Sequence, residues 1–325
     1  MKAVVCQELG PAEKLVIGEL PSPKCPKGHI RIKTAACGVN FPDALIIEGK
    51  YQFKPEPPFA PGGEVSGTVA ELGEGVSNFK IGDRVLALCG HGGFAEEVVV
   101  PAMAAAPIPD AMTFEEAAGF IMTYGTSHHA LKQRAQLKEG ETLVVLGAAG
   151  GVGITAVELG KLMGAKVIAA ASSKEKLAFA KSYGADELVN YTETPIKDAI
   201  KGLTGGQGAD VIYDPVGGDL CEQSFRAIGW NGRYLVIGFV AGIPKFPTNL
   251  ALLKGASMVG VFWGAFTMRE PLVHQDNVKE LLTWYAQGKL KPAISKVYDM
   301  DDAPAAIQAL ADRKAQGKLV VKISA

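Results

Sequence analysis

The residues best spaced for chemistry lie in VVLGAAGGVGITAV, residues 144–157, where four glycines fall within seven positions between a run of β-formers and a stretch with helical spacing. A turn of that composition suits the phosphates of a dinucleotide. Gly150 lets the backbone approach a pyrophosphate, Gly153 permits close packing of helix on strand, and the helix start at Gly151 and Val152 offers unpaired N–H groups to the anion. Alanine, at Ala148, stands where the first glycine of the fingerprint usually falls. The motif alone is weak, but a strand before it and an amphipathic helix after it favour the phosphate reading over a structural turn. The next strand ends in ASSKEK, residues 171–176. An NAD binder places an acid there for the ribose 2′-hydroxyl, whereas this chain has Ser172, Ser173, Lys174 and Lys176. Hydroxyl and ammonium groups donate to a 2′-phosphate, and no carboxylate closes the strand to repel it, so NADP(H) is favoured over NAD(H). The same serines also suit the N-cap of the following helix.

Such a turn needs a strand–turn–helix scaffold, and the surrounding chain supplies one. Thr142–Leu146, Lys166–Ala171, Glu187–Asn190, Asp210–Tyr213 and Arg233–Ile237 are apolar runs of strand length separated by helix-like segments. Residues 151–163 place Val152, Ala156, Leu159 and Met163 on one face and Glu158 and Lys161 on the other. Continuous apolar strands alternating with helices predict an α/β doubly wound parallel sheet covered on both faces. Upstream, Met1–Cys6, His29–Ala36, Gly63–Leu72, Arg84–Leu88 and Ala95–Val100 read as short strands between Gly and Pro turns, which predicts a β-barrel-like domain. Downstream, a helix is expected around Val278–Gln287. A second opens at Asp301, carries Ile307 and Leu310, and stops at Gly317 before a strand over Lys318–Ile323. At 325 residues the chain exceeds the size at which single cores stop growing, so two domains are expected, with the tail rejoining the first.

Composition narrows the partners. Thirty-three basic and 34 acidic residues leave a net charge of −1, which provides no basic field for nucleic acid and no attraction to anionic lipid. The N-terminus reaches Gln7 and Glu8 too soon for a secretory signal, and the uncharged stretch 142–157 is broken by glycine and shorter than the roughly 18 residues of a membrane span. A cytoplasmic protein with a small-molecule substrate is the expectation. The five cysteines, at 6, 25, 37, 89 and 221, have no C-x-x-C spacing and read as reduced thiols. Cys89 and His91 form a C-x-H pair, which is not a metal site by itself.

The segments ACGVNFPD (36–43), PFAPGGEVSG (58–67), KIGDRV (80–85), GGFAE (92–96), the glycine turn and GKLVV (317–321) together resemble the medium-chain dehydrogenase/reductase superfamily. Within it, the similarity is to the zinc-free quinone oxidoreductases related to ζ-crystallin. The resemblance implies a GroES-like β-barrel domain of residues 1–121 and 289–325, a Rossmann NADP(H)-binding domain of residues 122–288, an active site in the cleft between them, and a homodimer. Zinc-dependent members carry Cys where this chain has Asn40 and His where it has Gly63, although Glu64 is kept. Amide and glycine do not supply the donors zinc prefers, so no metal is expected.

Site roles follow from the same resemblance. Asn40 is expected to hold the nicotinamide ribose or the substrate oxygen, as donor and acceptor. Tyr51 is expected beside the nicotinamide, its phenol donating to a developing oxyanion or packing the wall. Thr126, Tyr191, the run Ile237, Gly238, Phe239 and Val240, then Phe262, Trp263 and Lys318, match positions used for the cofactor. MVGVFW, residues 258–263, also reads as an edge strand that pairs with its copy in relatives. Asp43 has no assigned role, and the segment 214–218 is expected to be structural support. His128 and His129, with no acid nearby in the sequence, are expected to pack. The implied activity is zinc-independent, NADPH-dependent hydride transfer to a quinone or an α,β-unsaturated carbonyl compound. An enoyl- or acryloyl-thioester (CoA) reductase and an NADPH-binding structural or regulatory protein of crystallin type remain open.

Overall fold

Strands form where β-formers run between glycine and proline, and in chain order they separate into two sets. The computed structural model describes residues 1–313 and 315–324. The chain divides into two units, residues 1–122 with 292–325, and residues 123–291. The first set is β1 (Lys2–Val5), β2 (Val16–Glu19), β3 (His29–Val39), β4 (Glu64–Leu72), β5 (Arg84–Leu88), β6 (Glu97–Pro101) and β7 (Ala105–Pro107). The second is β8 (Thr142–Leu146), β9 (Lys166–Ala171), β10 (Glu187–Asn190), β11 (Ala209–Asp214), β12 (Ile228–Val236) and β13 (Ser257–Gly260), after which β14 (Ile294–Asp299) and β15 (Lys318–Lys322) return to the first. Helices are α1 (Phe41–Ile47), α2 (Phe114–Ala118), α3 (Ile121–His129), α4 (Gly151–Leu162), α5 (Lys174–Ser182), α6 (Ile196–Leu203), α7 (Asp219–Phe225), α8 (Asn249–Lys254), α9 (Trp263–Arg269), α10 (Pro271–Ala286) and α11 (Ala303–Ala311).

In the first unit, the eleven-residue β3 is the spine. It pairs antiparallel with β4 along its length, while its other edge is shared: residues 29–33 pair with β6 and residues 36–39 with β15. A register shift against β4 between Thr34 and Ala36 marks where the strand bends from one neighbour to the other. The tail therefore completes this sheet, in the order β14-β15-β3-β4-β5-β7. Ile30, Ile32, Val65, Val85, Phe94 and Ile307 pack its core.

The second unit is a parallel sheet in the order β10-β9-β8-β11-β12-β13. The chain starts at the centre with β8, winds outward through β9 and β10, then returns to β11 and winds the other way. This order puts a topological switch between β8 and β11, and all the strand-end loops emerge along one edge of the sheet. Val144, Leu146, Ile168, Ala170, Ile212 and Tyr234 fill the interior.

Three helices depart from expectation. α10 begins at Pro271, seven residues ahead of the expected Val278, because the polar His274 and Asn277 are buried on its inner face and hide the start of its apolar stripe. α11 ends at Ala311, well before Gly317, as Arg313 takes a left-handed conformation at φ 59°. α4 is buried on more than one stripe, at Gly153–Val157, Leu159 and Gly160, while Val152 and Met163 are only half-buried.

Candidate active site

Strand register alone gathers one polar cluster in the first unit. Gly38 pairs with Glu64 and Val39 with Leu319, so Asn40, Glu64 and Lys318 meet at the end of β3. All three are buried, as is Asp43. The Lys318 ammonium donates to Asn40 Oδ1 at 2.5 Å and to Glu64 Oε2 at 2.9 Å. Asn40 Nδ2 donates to Glu64 Oε2 at 3.0 Å and to the Gly38 carbonyl at 3.2 Å. The other Glu64 oxygen accepts the Met122 N–H at 2.8 Å. Gly38 is required here, since a Cβ at that position would lie 2.8 Å from Glu64 Oε2 and 3.0 Å from Lys318 Cε. Opposite charges held this closely offset each other's desolvation, which neither could sustain alone.

Asp43 lies in the first turn of α1 and accepts the Asn40 N–H at 2.7 Å. Burial, chiefly, raises its carboxyl to about 7, against the lowering pull of the Asn40 N–H and the Lys318 ammonium. Tyr51 packs half-buried against the apolar core of this unit. Burial and the Asp43 charge raise its phenol, which keeps the donor proton in place. Cys89 donates to the Gly62 carbonyl at 3.3 Å, and His91 stacks on Phe53 at 5.5 Å, so both belong to local packing.

Zinc does not fit this donor set. At positions 40 and 63 an amide and a glycine stand in place of thiolate and imidazole, and the remaining carboxylate is already paired with an ammonium that would repel a dication. Among the described residues no group of three or more His, Cys, Asp or Glu side chains could hold a metal ion.

The second unit carries the nucleotide candidates. Gly147, at φ 58°, turns the chain out of β8 and lies against Val216 of the loop after β11, so two switch-point loops touch. Gly150 caps α4, and a Cβ there would meet only the Gly147 carbonyl, at 3.4 Å. Gly153 is different: a Cβ would run into the Gly147 backbone, so the helix can lie this close only with glycine. With Gly151 and Val152 in its first turn, α4 presents unpaired N–H groups and a positive dipole end at an open cradle, which fits a pyrophosphate. Ser172, Ser173 and Lys176 follow β9, Tyr191 follows β10, Ile237–Val240 follow β12, and Phe262 and Trp263 follow β13. Parallel strands thus bring every nucleotide candidate of this unit except Thr126 to one sheet edge. Thr126 lies on α3, which the buried Ser127 hydroxyl ties to the Val152 carbonyl at 2.9 Å and to Tyr213 at 2.9 Å. Trp263 is buried against Gly125, and Phe262 is 58% exposed. Lys318 lies in the first unit with Asn40.

Other residues singled out in the sequence take varied places. Asp214 is structural: one carboxylate oxygen accepts the Val216 and Gly217 N–H groups at 2.7 and 2.9 Å, the other the Tyr234 hydroxyl at 2.7 Å. Ser173 is an N-cap, accepting the Lys176 N–H at 3.3 Å, and its hydroxyl bonds the Glu175 carboxylate. Lys176 Nζ lies 3.5 Å from Ser172 Oγ. An acid does face His128 after all: Glu280 of α10, 2.8 Å from Nε2 and 152 residues away in sequence. His129 packs as expected, stacked on Phe266 at 3.8 Å. The residue that sequence reasoning left out of the site is Glu64, and its signal was a lone acid within the run of small, uncharged residues GGEVSG.

Comparison with known proteins agrees with this fold. Residues 26–110 match the alcohol dehydrogenase GroES-like domain family, and residues 151–286 match the zinc-binding dehydrogenase family, a range that excludes positions 40, 63 and 64. A quinone oxidoreductase-like protein 2 homolog from Nematostella vectensis is 42% identical over 325 residues, covering 98% of this chain and 88% of its own. A mycobacterial protein solved in complex with NADPH has a TM-score of 0.93 at 30% identity, over 99% of this chain and 100% of its own. Escherichia coli quinone oxidoreductase, also complexed with NADPH, has a TM-score of 0.91 at 28% identity, over 99% and 100% of the two chains. The chain belongs to the medium-chain dehydrogenase/reductase superfamily, in its quinone oxidoreductase-like branch.

Proposed function

We propose that the protein is a zinc-independent, NADPH-dependent oxidoreductase that reduces quinones or α,β-unsaturated carbonyl compounds. The observation that carries this reading is the Lys318 ammonium, fixed between Asn40 and Glu64 where zinc-dependent relatives keep metal ligands. A pocket built this way does not polarise an unactivated carbonyl through a metal, so its acceptor must already be electrophilic. Bound at the glycine turn, NADPH supplies a hydride. The chain's own part is positional and electrostatic. Gly150, Gly151, Val152 and Gly153 hold the pyrophosphate, Ser172 and Lys176 hold the 2′-phosphate, and Asn40 and Lys318 serve the nicotinamide end with Thr126, Tyr191, Ile237–Val240, Phe262 and Trp263. Tyr51, protonated at neutral pH, donates a hydrogen bond to the acceptor oxygen as negative charge develops on it.

A homodimer accords with β13 at the outer edge of its sheet and with Leu252, Leu253, Met268 and Leu272, apolar side chains each at least 65% exposed. A cytoplasmic home accords with the five cysteines, all free. The test is NADPH oxidation against a panel of quinones, enones, nitroalkenes and acyl thioesters, run beside NADH. Turnover with quinones or enones supports the reading. Turnover confined to acyl thioesters replaces it with an enoyl-thioester reductase, and cofactor binding without turnover replaces it with a binding protein.

A further inference from the structure

Hydrogen-bond bookkeeping fixes what Asn40 can recognise. Lys318 can only donate, so the Asn40 atom that faces it must be the carboxamide oxygen. Glu64 and the Gly38 carbonyl only accept, so the atom facing them must be the nitrogen. The orientation of this amide is thus set by its partners, and both of its N–H groups are consumed. One lone pair on Oδ1 is the only capacity left. Glu64 is equally committed, since its two oxygens take three donors, from Met122, Asn40 and Lys318, and only a carboxylate can accept them all.

We propose that Glu64 and Lys318 are positioning residues that lock Asn40 as an acceptor-only group, which recognises a hydroxyl or an amide N–H of the nucleotide and not the oxygen of the substrate. This narrows the earlier expectation that Asn40 serves as donor and acceptor. Quinones and enones offer only acceptor oxygens, so they find no partner in Asn40 and depend on another donor. The inference rests on the NADPH-dependent reading above as far as the identity of the ligand is concerned.

The test uses Asn40→Asp, Glu64→Gln and the double variant. Aspartate at position 40 keeps the acceptor oxygen but sets a second carboxylate against Glu64. Glutamine at position 64 alone leaves one of the three donors facing an amide NH2. In the double variant the direction of the bond between the two positions reverses: the introduced glutamine donates to the introduced aspartate and its oxygen keeps the Met122 N–H, while Lys318 keeps a carboxylate at position 40 but meets the glutamine NH2, and the Gly38 carbonyl meets an aspartate oxygen, so the recovery is partial. The expected result is a KM for NADPH raised about tenfold or more in each single variant, the scale of one lost charge-assisted bond, with the double variant raised by clearly less than the product of the two. The KM for quinone stays within about twofold throughout, and the melting temperature of the cofactor-free protein falls in the single variants, and in the double by less than the sum of the two falls. A double variant no better than the product of the singles in both KM and melting temperature overturns the lock. A quinone KM that rises with Asn40→Asp overturns the assignment to the nucleotide. A wild-type protein that consumes no NADPH defeats the functional reading instead, while the recovery of melting temperature still decides the lock.

Discussion

Asp43 shows how a single buried carboxyl sets a pH response. Its native value of about 7 lies above its ordinary 3.8, so the folded state binds its proton more tightly than the unfolded chain does. The stability this group contributes is therefore full below about pH 4 and is lost as pH rises through 7, by up to about 4 kcal/mol. Asp43→Asn, which keeps an oxygen for the Asn40 N–H, is expected to flatten the fall in melting temperature between roughly pH 5 and roughly pH 8. An unchanged slope would put the titration elsewhere. At the other end of the chain's chemistry, Ser173 and Lys176 separate into distinct roles. Because Ser173 caps α5, Ser173→Ala is expected to cost about 1 kcal/mol of stability with little change in the NADPH-to-NADH ratio of kcat/KM. Lys176→Ala removes a phosphate donor and is expected to narrow that ratio by about tenfold or more, from a charge-assisted bond of roughly 1.5–3 kcal/mol. Equal effects of the two on the ratio would return Ser173 to the phosphate.

At the scale of elements, the packing of α3 against α9 and α10 is the acid-sensitive joint of the second unit. His128 and His274 are buried, each with an unpartnered Nδ1, and burial, chiefly, lowers each to about 4. Glu280 pulls His128 upward without reversing this, and His129 adds repulsion at His274. Both histidines contribute stability above about pH 6.5, and it is lost as pH falls through 4, opposite in sign to Asp43. His274→Phe keeps an aromatic ring against Trp263 and Phe266 and is expected to spare about 2 kcal/mol at about pH 4.5, read as a lower pH midpoint of acid unfolding. A midpoint unmoved would mean that this ring does not have to charge on unfolding. The same joint shows where the sequence stopped being legible. The strands around the glycine turn were readable because their apolar runs are continuous, and Thr142–Leu146, Lys166–Ala171 and Glu187–Asn190 formed at their expected limits. The start of α10 was not, because inward-facing polar residues imitate a solvated face, and the His128–Glu280 pair was not, because nothing local marks a partner 152 residues distant. In the site, the glycines could be assigned from backbone needs alone. The meeting of Asn40, Glu64 and Lys318 depends on strand register, which single-strand patterns do not specify.

For the whole molecule, one fold supplies two separable contributions: a parallel sheet whose strand ends suit a nucleotide, and a bent, mostly antiparallel sheet whose register assembles a fixed internal cation. Both follow from backbone pairing, which explains why so much chain organises so few polar side chains. In the function proposed above, this internal ammonium, and not a metal, is the positive charge of the pocket. The decisive quantity is the rate at which NADPH reduces a quinone after exhaustive treatment of the protein with a strong chelator, with the metal content of the same sample measured alongside. Turnover is expected to be unchanged by the chelator, and faster with NADPH than with NADH, in protein holding far less than one zinc per chain. Activity that disappears on chelation and returns with stoichiometric zinc would contradict an ammonium-based pocket.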